Sequence, residues 1–187
     1  MLWRLVQWYR AAGRTVPGAC GTLMTNGWLP AALKELGVAF HRSPVGDRHV
    51  HAALTERGWS LGGEASGHIL MLDRASTGDG LLTALCVAQA LLETGTLADP
   101  LAGVAPFPHR LTNITVSERI PIEAAPSAEA RIAEAEAALE EGRIVVRYSG
   151  TEPKLRIMIE GRDARQVDQW TECLARELPA LLKEAKT

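Results

Sequence analysis

The chain has 187 residues, 47% hydrophobic and 22% charged, with a formal net charge of −2. That composition suits a globular protein with one or two cores, and the near-neutral balance argues against a nucleic-acid partner, which selects a basic surface. Cys20, Cys86 and Cys173 are odd in number and in no C-x-x-C spacing, which fits reduced thiols of a cytoplasmic protein better than a disulfide framework or a zinc site; no apolar run is long enough for a membrane span.

Leu2, Leu5, Val6 and Tyr9 recur at helical spacing, with Arg4 and Gln7 interrupting them, so the chain opens on an amphipathic helix and not an export signal. Val16 to Met24 reads as an irregular strand containing Pro17, Gly18 and Gly21. A helix follows with Leu29, Leu33 and Leu36 on one face and Pro30 in its first turn, stopped by Gly37. Val38 to His41 is a short strand, and Asp47 caps a helix bearing Val50, Ala53 and Leu54 that ends near Gly58. Trp59 to Leu61 and His68 to Leu72 are short strands around a Gly-rich loop. Asp79 caps a helix from Gly80 to Glu93, apolar almost all round and therefore expected to be buried. This alternation predicts a mixed αβα layered domain over residues 1–103.

The Pro-rich stretch from Asp99-Pro100 to Pro106-Phe107-Pro108 marks a domain boundary. Beyond it, Leu111 to Val116 is a strand, and Ser127 caps a helix with Ile132, Ala135 and Leu139 inward. Arg143 to Tyr148 and Lys154 to Glu160 are strands. A final helix starts at Asp163, with Gln166 placed for a return bond to the cap and Val167, Trp170 and Leu174 facing inward; Pro179 ends or bends it. The β-α-β-β-α order predicts a smaller α+β domain over residues 109–187, in a chain that is α/β overall.

Three loops carry chemistry. Arg147-Tyr148-Ser149-Gly150-Thr151-Glu152-Pro153 offers hydroxyls from Ser149 and Thr151 and a turn at Gly150, with Arg147 and Arg156 flanking. Charge-assisted N–H and O–H donors in that pattern suit a phosphate or other oxyanion, although Ser, Gly, Thr and Pro also make an ordinary hairpin loop. In Gly62-Gly63-Glu64-Ala65-Ser66-Gly67-His68, Glu64, Ser66 and His68 are spaced by two, which in extended backbone puts them on one side. A carboxylate, a hydroxyl and an imidazole can bind sugar hydroxyls and move a proton, or cap a glycine-rich turn. Val45-Gly46-Asp47-Arg48 opens a helix, where an anion is favoured but a simple Asp47 cap is the blander account. Thr77-Gly78-Asp79-Gly80 supplies one carboxylate, too few for a hard cation, and His41, His49, His51 and His109 show no metal-ligand pattern, so no metal site is expected.

Together these loops resemble the C-terminal half of the α-D-phosphohexomutase family, in particular its bacterial glucosamine-phosphate branch. The resemblance begins at Gly21-Thr22-Leu23-Met24-Thr25-Asn26 and continues through Val45-Gly46-Asp47-Arg48. It then takes in Gly63 to His68 and Thr77 to Gly80, and closes with Arg147 to Pro153 running into Leu155-Arg156-Ile157. It implies the third and fourth domains of a four-domain enzyme. It also implies that Glu64, Ser66 and Asp47 bind the sugar, with His68 as proton-transfer partner and Arg48 beside it in the catalytic machinery. Arg147, Ser149, Gly150, Thr151 and Arg156 would hold the phosphate on the non-reacting end of the sugar.

The family reaction interconverts glucosamine 6-phosphate and glucosamine 1-phosphate. A phosphoserine gives its phosphoryl group to the sugar, the bisphosphate turns around, and the other phosphate returns to serine. A glucose- or glucosamine-type 1,6-bisphosphate is the activator, and Mg²⁺ on an Asp-Gly-Asp-Gly-Asp-Arg loop offsets charge at the transferred group. Neither that loop nor a phosphoserine loop occurs in the chain. By family order both would lie upstream, so the chain is expected to be a fragment, or one half of an enzyme whose N-terminal half is a separate partner, and to be inactive alone. A non-catalytic sugar-phosphate-binding module, an inert fragment, and a mannose- or glucose-phosphate relative stay open as alternatives.

Overall fold

The structure, a computed structural model, describes residues 1–94 and 105–184. The start of the expected Pro-rich break, Asp99-Pro100, lies outside those residues. The chain divides into two compact units, Met1–Pro106 and Phe107–Thr187.

The first unit is built on a four-stranded sheet of β1 (Gly18–Thr22), β2 (Ala39–Ser43), β3 (Leu61–Gly63) and β4 (Ile69–Met71) in the order β2-β1-β3-β4. β1 pairs parallel with β2 and β3, and β4 runs antiparallel to β3. The two-residue alternation of each strand sorts its side chains into two cores. Ala19, Leu61, Ile69 and Met71 pack with α1 (Leu2–Ala11), α2 (Trp28–Glu35) and α4 (Gly80–Thr94). Cys20 and Leu70 pack on the other face with Val50, Ala53 and Leu54 of α3 (Asp47–Arg57). The unit is therefore an αβα sandwich of mixed sheet, as its sequence predicts. α3 ends at Gly58 in the left-handed region (φ 63), where Trp59 N–H closes on Leu54 C=O at 2.9 Å.

Three local expectations are corrected in this unit. Gly46 and not Asp47 occupies the N-cap of α3, at φ 124. Gly62 and Gly63 belong to β3 and not to the loop. α4 buries only one stripe, Thr83, Cys86 and Ala90, while Leu81, Leu85 and Leu92 are 74%, 62% and 82% exposed. A helix apolar on every side does not announce which side its neighbours cover; α1 and β4 cover one here. Among the described residues no helix is long and apolar enough to cross a membrane.

The second unit has a three-stranded antiparallel sheet, β5 (His109–Thr115), β6 (Arg143–Tyr148) and β7 (Lys154–Glu160), in the order β5-β7-β6. α5 (Pro126–Ala138) and α6 (Ala164–Glu184) cover one face. Leu155, Ile157 and Ile159 of central β7 meet Leu174, Leu178 and Leu182 of α6 and Ala128 and Ala135 of α5 there. This is the smaller α+β unit expected, again with local corrections. Pro126 starts α5 and Ser127 makes no cap. Gln166 Oε1 accepts from Glu140 N–H at 3.1 Å instead of returning to its own cap. α6 runs through Pro179, because Leu178 and Leu182 on either side are buried and their burial outweighs one missing backbone bond.

Arg131 staples α5 to α6. Its Nε lies 2.7 Å from Glu177 and its Nη1 2.7 Å from Glu134, with the guanidinium carbon 4.9 Å from the Trp170 ring centroid. Arg131, then the Cys173 thiol and Arg176, hold the pKa of the Glu177 carboxyl down to about 2.

Two outcomes follow from these contacts. A Cβ at Gly62 would sit 2.7 Å from Val50 Cγ1 and 2.9 Å from Leu54 Cδ1, so Gly62→Val should lower stability by about 1–3 kcal/mol in urea unfolding; an unmoved midpoint would mean α3 gives way freely. Because the folded pKa of Glu177 is depressed, its stabilisation is complete above about 4.5 and lost as pH falls towards about 2. Glu177→Gln should therefore lower the melting temperature at pH 7 and lose that difference near pH 2; a constant gap would remove the ion pair as its source.

Candidate functional site

The three loops that follow β1, β2 and β3 lie at the carboxyl ends of parallel strands, the edge at which open α/β sheets present a crevice. After β1, Thr25 Oγ1 accepts from Thr22 N–H at 2.9 Å and Asn26 Oδ1 accepts from Trp28 N–H at 3.2 Å, folding the turn into α2. After β2, the chain reaches Gly46 and enters α3.

The loop after β3 is joined to that second loop by Glu64. Its carboxylate, 7% exposed, accepts from Gly46 N–H at 2.8 Å through Oε1. Oε2 lies 3.4 Å from His68 Nδ1, and the same nitrogen is 3.0 Å from Ser66 Oγ. The loop closes on itself through Glu64 N–H to His68 C=O at 2.9 Å, with Gly67 at φ 100. Glu64, Ser66 and His68 thus come together, the carboxylate inside and the hydroxyl and imidazole exposed. With Nδ1 engaged, the outward imidazole and hydroxyl can exchange hydrogen bonds with a polyhydroxylated ligand.

Asp47 and Arg48 make no hydrogen bond or ion pair with this group among the described residues. Asp47 Oδ1 accepts from Arg48 N–H at 2.8 Å, and Arg48 Nε donates to His49 Nε2 at 3.3 Å. Both are exposed at the start of α3. Sequence reasoning missed the other wall of the crevice. A cavity of about 350 Å³ beside the loop is lined by Trp3, Asn26, Trp28, Gly63, Glu64 and Gly67. The tryptophans meet edge to face, 6.3 Å between centroids.

In the second unit the loop between β6 and β7 is a compact cationic turn. Arg147 and Arg156 are register partners across the two strands. Ser149 is 2% exposed, and its Oγ accepts from Arg156 Nη2 at 3.2 Å and from Glu152 N–H at 3.3 Å. Arg156 Nη2 also lies 3.2 Å from Glu152 Oε2, whose other oxygen takes Lys154 Nζ at 2.6 Å. Lys154 first, and Arg156 after it, hold the Glu152 carboxyl below its ordinary range. Arg156 Nε is buried with no acceptor among the described residues. Gly150 and Thr151 are exposed at the tip. Ser149, Gly150 and Thr151 are thus neighbours on one turn flanked by Arg147 and Arg156, with Arg156 Nη2 spent on Ser149 and Glu152 and its Nε without an acceptor among the described residues.

Two further residues touch this turn. Arg119 Nη2 donates to Glu152 C=O at 3.2 Å. The Tyr148 hydroxyl donates to Ile120 C=O at 2.8 Å and accepts from Ile120 N–H at 3.1 Å. The strand alternation that turns Tyr148 to the core was a signal for the latter, since a half-buried phenol needs a partner. Nothing local marked Arg119.

Among the described residues no three His, Cys, Asp or Glu side chains converge as a metal would require. The donor set for Mg²⁺ that the sequence resemblance implies is thus not found in these residues.

The family description "Phosphoglucomutase/phosphomannomutase, alpha/beta/alpha domain III" matches residues 3–107, and "Phosphoglucomutase/phosphomannomutase, C-terminal domain" matches residues 111–177. The chain is 48% identical over 180 residues to the phosphoglucosamine mutase of Ralstonia pickettii, covering 95% of this chain and 40% of that protein. It therefore spans about 40% of the length of the curated relatives it matches. Among solved structures, Aspergillus fumigatus N-acetylphosphoglucosamine mutase in complex with GlcNAc-6P and magnesium superposes with a TM-score of 0.78 at 21% identity, covering 94% of this chain and 44% of that one. A serine-to-alanine variant of that enzyme in complex with glucose 1,6-bisphosphate gives 0.77 at 22% identity, covering 96% and 42%. At those identities the structures establish likeness of fold.

The Glu64 bond is directly testable. Glu64→Ala should leave the Gly46 N–H without its acceptor, lower stability by about 1–3 kcal/mol and speed hydrogen exchange at that amide, whereas Glu64→Gln should keep its protection. Equal exchange in all three proteins would show that the loops are held otherwise.

Proposed function

Because the chain belongs to the phosphoglucomutase/phosphomannomutase family of phosphohexomutases, we propose that it supplies the third and fourth domains of a phosphoglucosamine mutase. That activity interconverts glucosamine 6-phosphate and glucosamine 1-phosphate through a bisphosphate. The observation that carries this reading is the turn at Ser149. A buried hydroxyl is gripped by one guanidinium, a second stands in register beside it, and a buried Arg156 N–H lacks an acceptor among the described residues.

A phosphate monoester carries about −1.5 to −2 charges near neutral pH and offers three strong acceptor oxygens. Arg147 and Arg156 match it with bidentate N–H pairs, Ser149 and Thr151 add hydroxyls, and Gly150 leaves the backbone accessible. This turn holds the phosphate that is not being transferred. Because the bisphosphate turns around between the two half-reactions, the same clamp receives either end. In the first unit, Glu64 and Ser66 bind sugar hydroxyls with Asp47 at the neighbouring helix start. His68 shuttles a proton at the reacting oxygen, and Arg48 adds positive charge. Glu64 has a second task, since its bond to Gly46 keeps the two loops in one arrangement.

The phosphoserine and the three-aspartate loop have no counterpart in the 187 residues. Binding is accordingly assigned to this chain, and transfer to the chain together with an N-terminal half. Calorimetric titration of the full chain with glucosamine 6-phosphate should show binding, weakened about tenfold or more by Arg147→Ala, with neutral glucosamine much weaker. Turnover by the chain alone should be absent and should appear on adding the N-terminal part of a phosphoglucosamine mutase. A silent titration would remove the retained site, and turnover without the added half would overturn the division of labour.

A further inference from the structure

The segment between β5 and the 3-10 turn Ile122–Ala124 crosses beside the Ser149 turn and is tied to it at both ends. At the near end Val116 N–H donates to Pro153 C=O at 3.0 Å. At the far end the Tyr148 hydroxyl takes both backbone groups of Ile120, donating at 2.8 Å and accepting at 3.1 Å, and Ile120 itself is 8% exposed in the second unit's core. Residues 117–120 thus form a strap whose ends cannot drift from the loop. Arg119 lies on it, exposed, with Nη2 3.2 Å from Glu152 C=O.

A guanidinium has five N–H donors, and this contact uses one of them. One bond to a carbonyl scarcely offsets the rotamer entropy lost in fixing an exposed arginine. What places Arg119 is the strap, and what it is placed against is the mouth of the turn, between Thr151 and Pro153. Charge gives the reason. Arg147, Lys154 and Arg156 set against Glu152 leave the turn at about +2, which a phosphate dianion only balances. A third guanidinium puts the site in excess of its ligand.

We propose that Arg119 is a further ligand of the phosphate group, reaching it from the strap side while Arg147 and Arg156 reach it from the sheet, and that Tyr148 is the positioning residue that holds the strap. The inference rests on the reading of the Ser149 turn as a phosphate clamp. Tyr148 acts through Arg119 and touches no ligand itself.

The test is calorimetry on the full chain with inorganic phosphate and with glucosamine 6-phosphate, at several salt concentrations. Arg119→Ala should weaken both about tenfold and flatten the salt dependence, while the melting temperature stays within about two degrees. Arg119→Lys should recover part of the loss, because charge returns without the planar fork. Tyr148→Phe should weaken binding several-fold alone and add nothing in the Arg119→Ala background, as expected of residues acting in series. If Arg147→Ala loses affinity while Arg119→Ala binds as the unsubstituted chain does, the inference falls and the clamp stands. If the unsubstituted chain binds neither probe, both fall. Additive losses from Tyr148→Phe and Arg119→Ala would overturn the positioning role. Should Tyr148→Phe fail to fold, the two Arg119 variants still decide the ligand.

Discussion

Arg147 faces Arg156 across an antiparallel strand pair, and like charges directly opposite each other in a sheet repel. The register that imposes this is fixed from the other side of the sheet. Moving it by one residue would carry Leu155, Ile157 and Ile159 out of the core they share with α6. The core therefore outweighs the repulsion and holds the two guanidinium groups together. Their surroundings follow from that constraint. Glu152 lies where a carboxylate relieves the pair, Lys154 restores the positive excess, and the Ser149 hydroxyl is enclosed against Arg156. A turn left with a net positive excess is a turn that favours an anion.

The first unit solves a different problem with equally few parts. Its parallel strands end together, so the loops after them are neighbours, but loops have no ladder to hold them. Glu64 supplies the cross-link by accepting the Gly46 N–H from a side chain that is almost entirely enclosed. A carboxylate used in this way leaves the exposed Ser66 and His68 as the groups facing outward. Positive φ at Gly46 and Gly67 lets both loops turn where a side chain would strain the backbone.

Much of this was legible in the amino-acid order. The β6 and β7 bounds coincide with the apolar runs that flank the turn, and the αβα and α+β patterns follow from where helical and two-residue periods alternate. Glu64, Ser66 and His68 come together, but through a closed turn with Gly67 at φ 100 and not through extended backbone. Some misreadings are local, such as the caps at Gly46 and Pro126, and others concern contacts whose partner is distant in sequence. α4 is apolar on every side, so its sequence contains no record that Leu81 and Leu85 would face outward. Gln166 is well placed for its own cap, yet Glu140 N–H, 26 positions away, takes its oxygen. Gly62 and Gly63 looked like loop glycines. Their lack of side chains instead admits Val50 and Ile69 against the strand.

By itself, then, the sequence determined the periodic elements, the two-unit order and which functional groups each loop carries, because those depend on residues a few positions apart. Tertiary structure decided which donors meet which acceptors: Gly46 with Glu64, Ile120 with Tyr148, and Arg119 with the turn at Glu152. Hydrogen bonds and charge pairs act over a few ångströms, whereas sequence separation carries no distance until the cores have closed. Only then does an arginine in an unremarkable turn stand beside a loop more than thirty residues downstream.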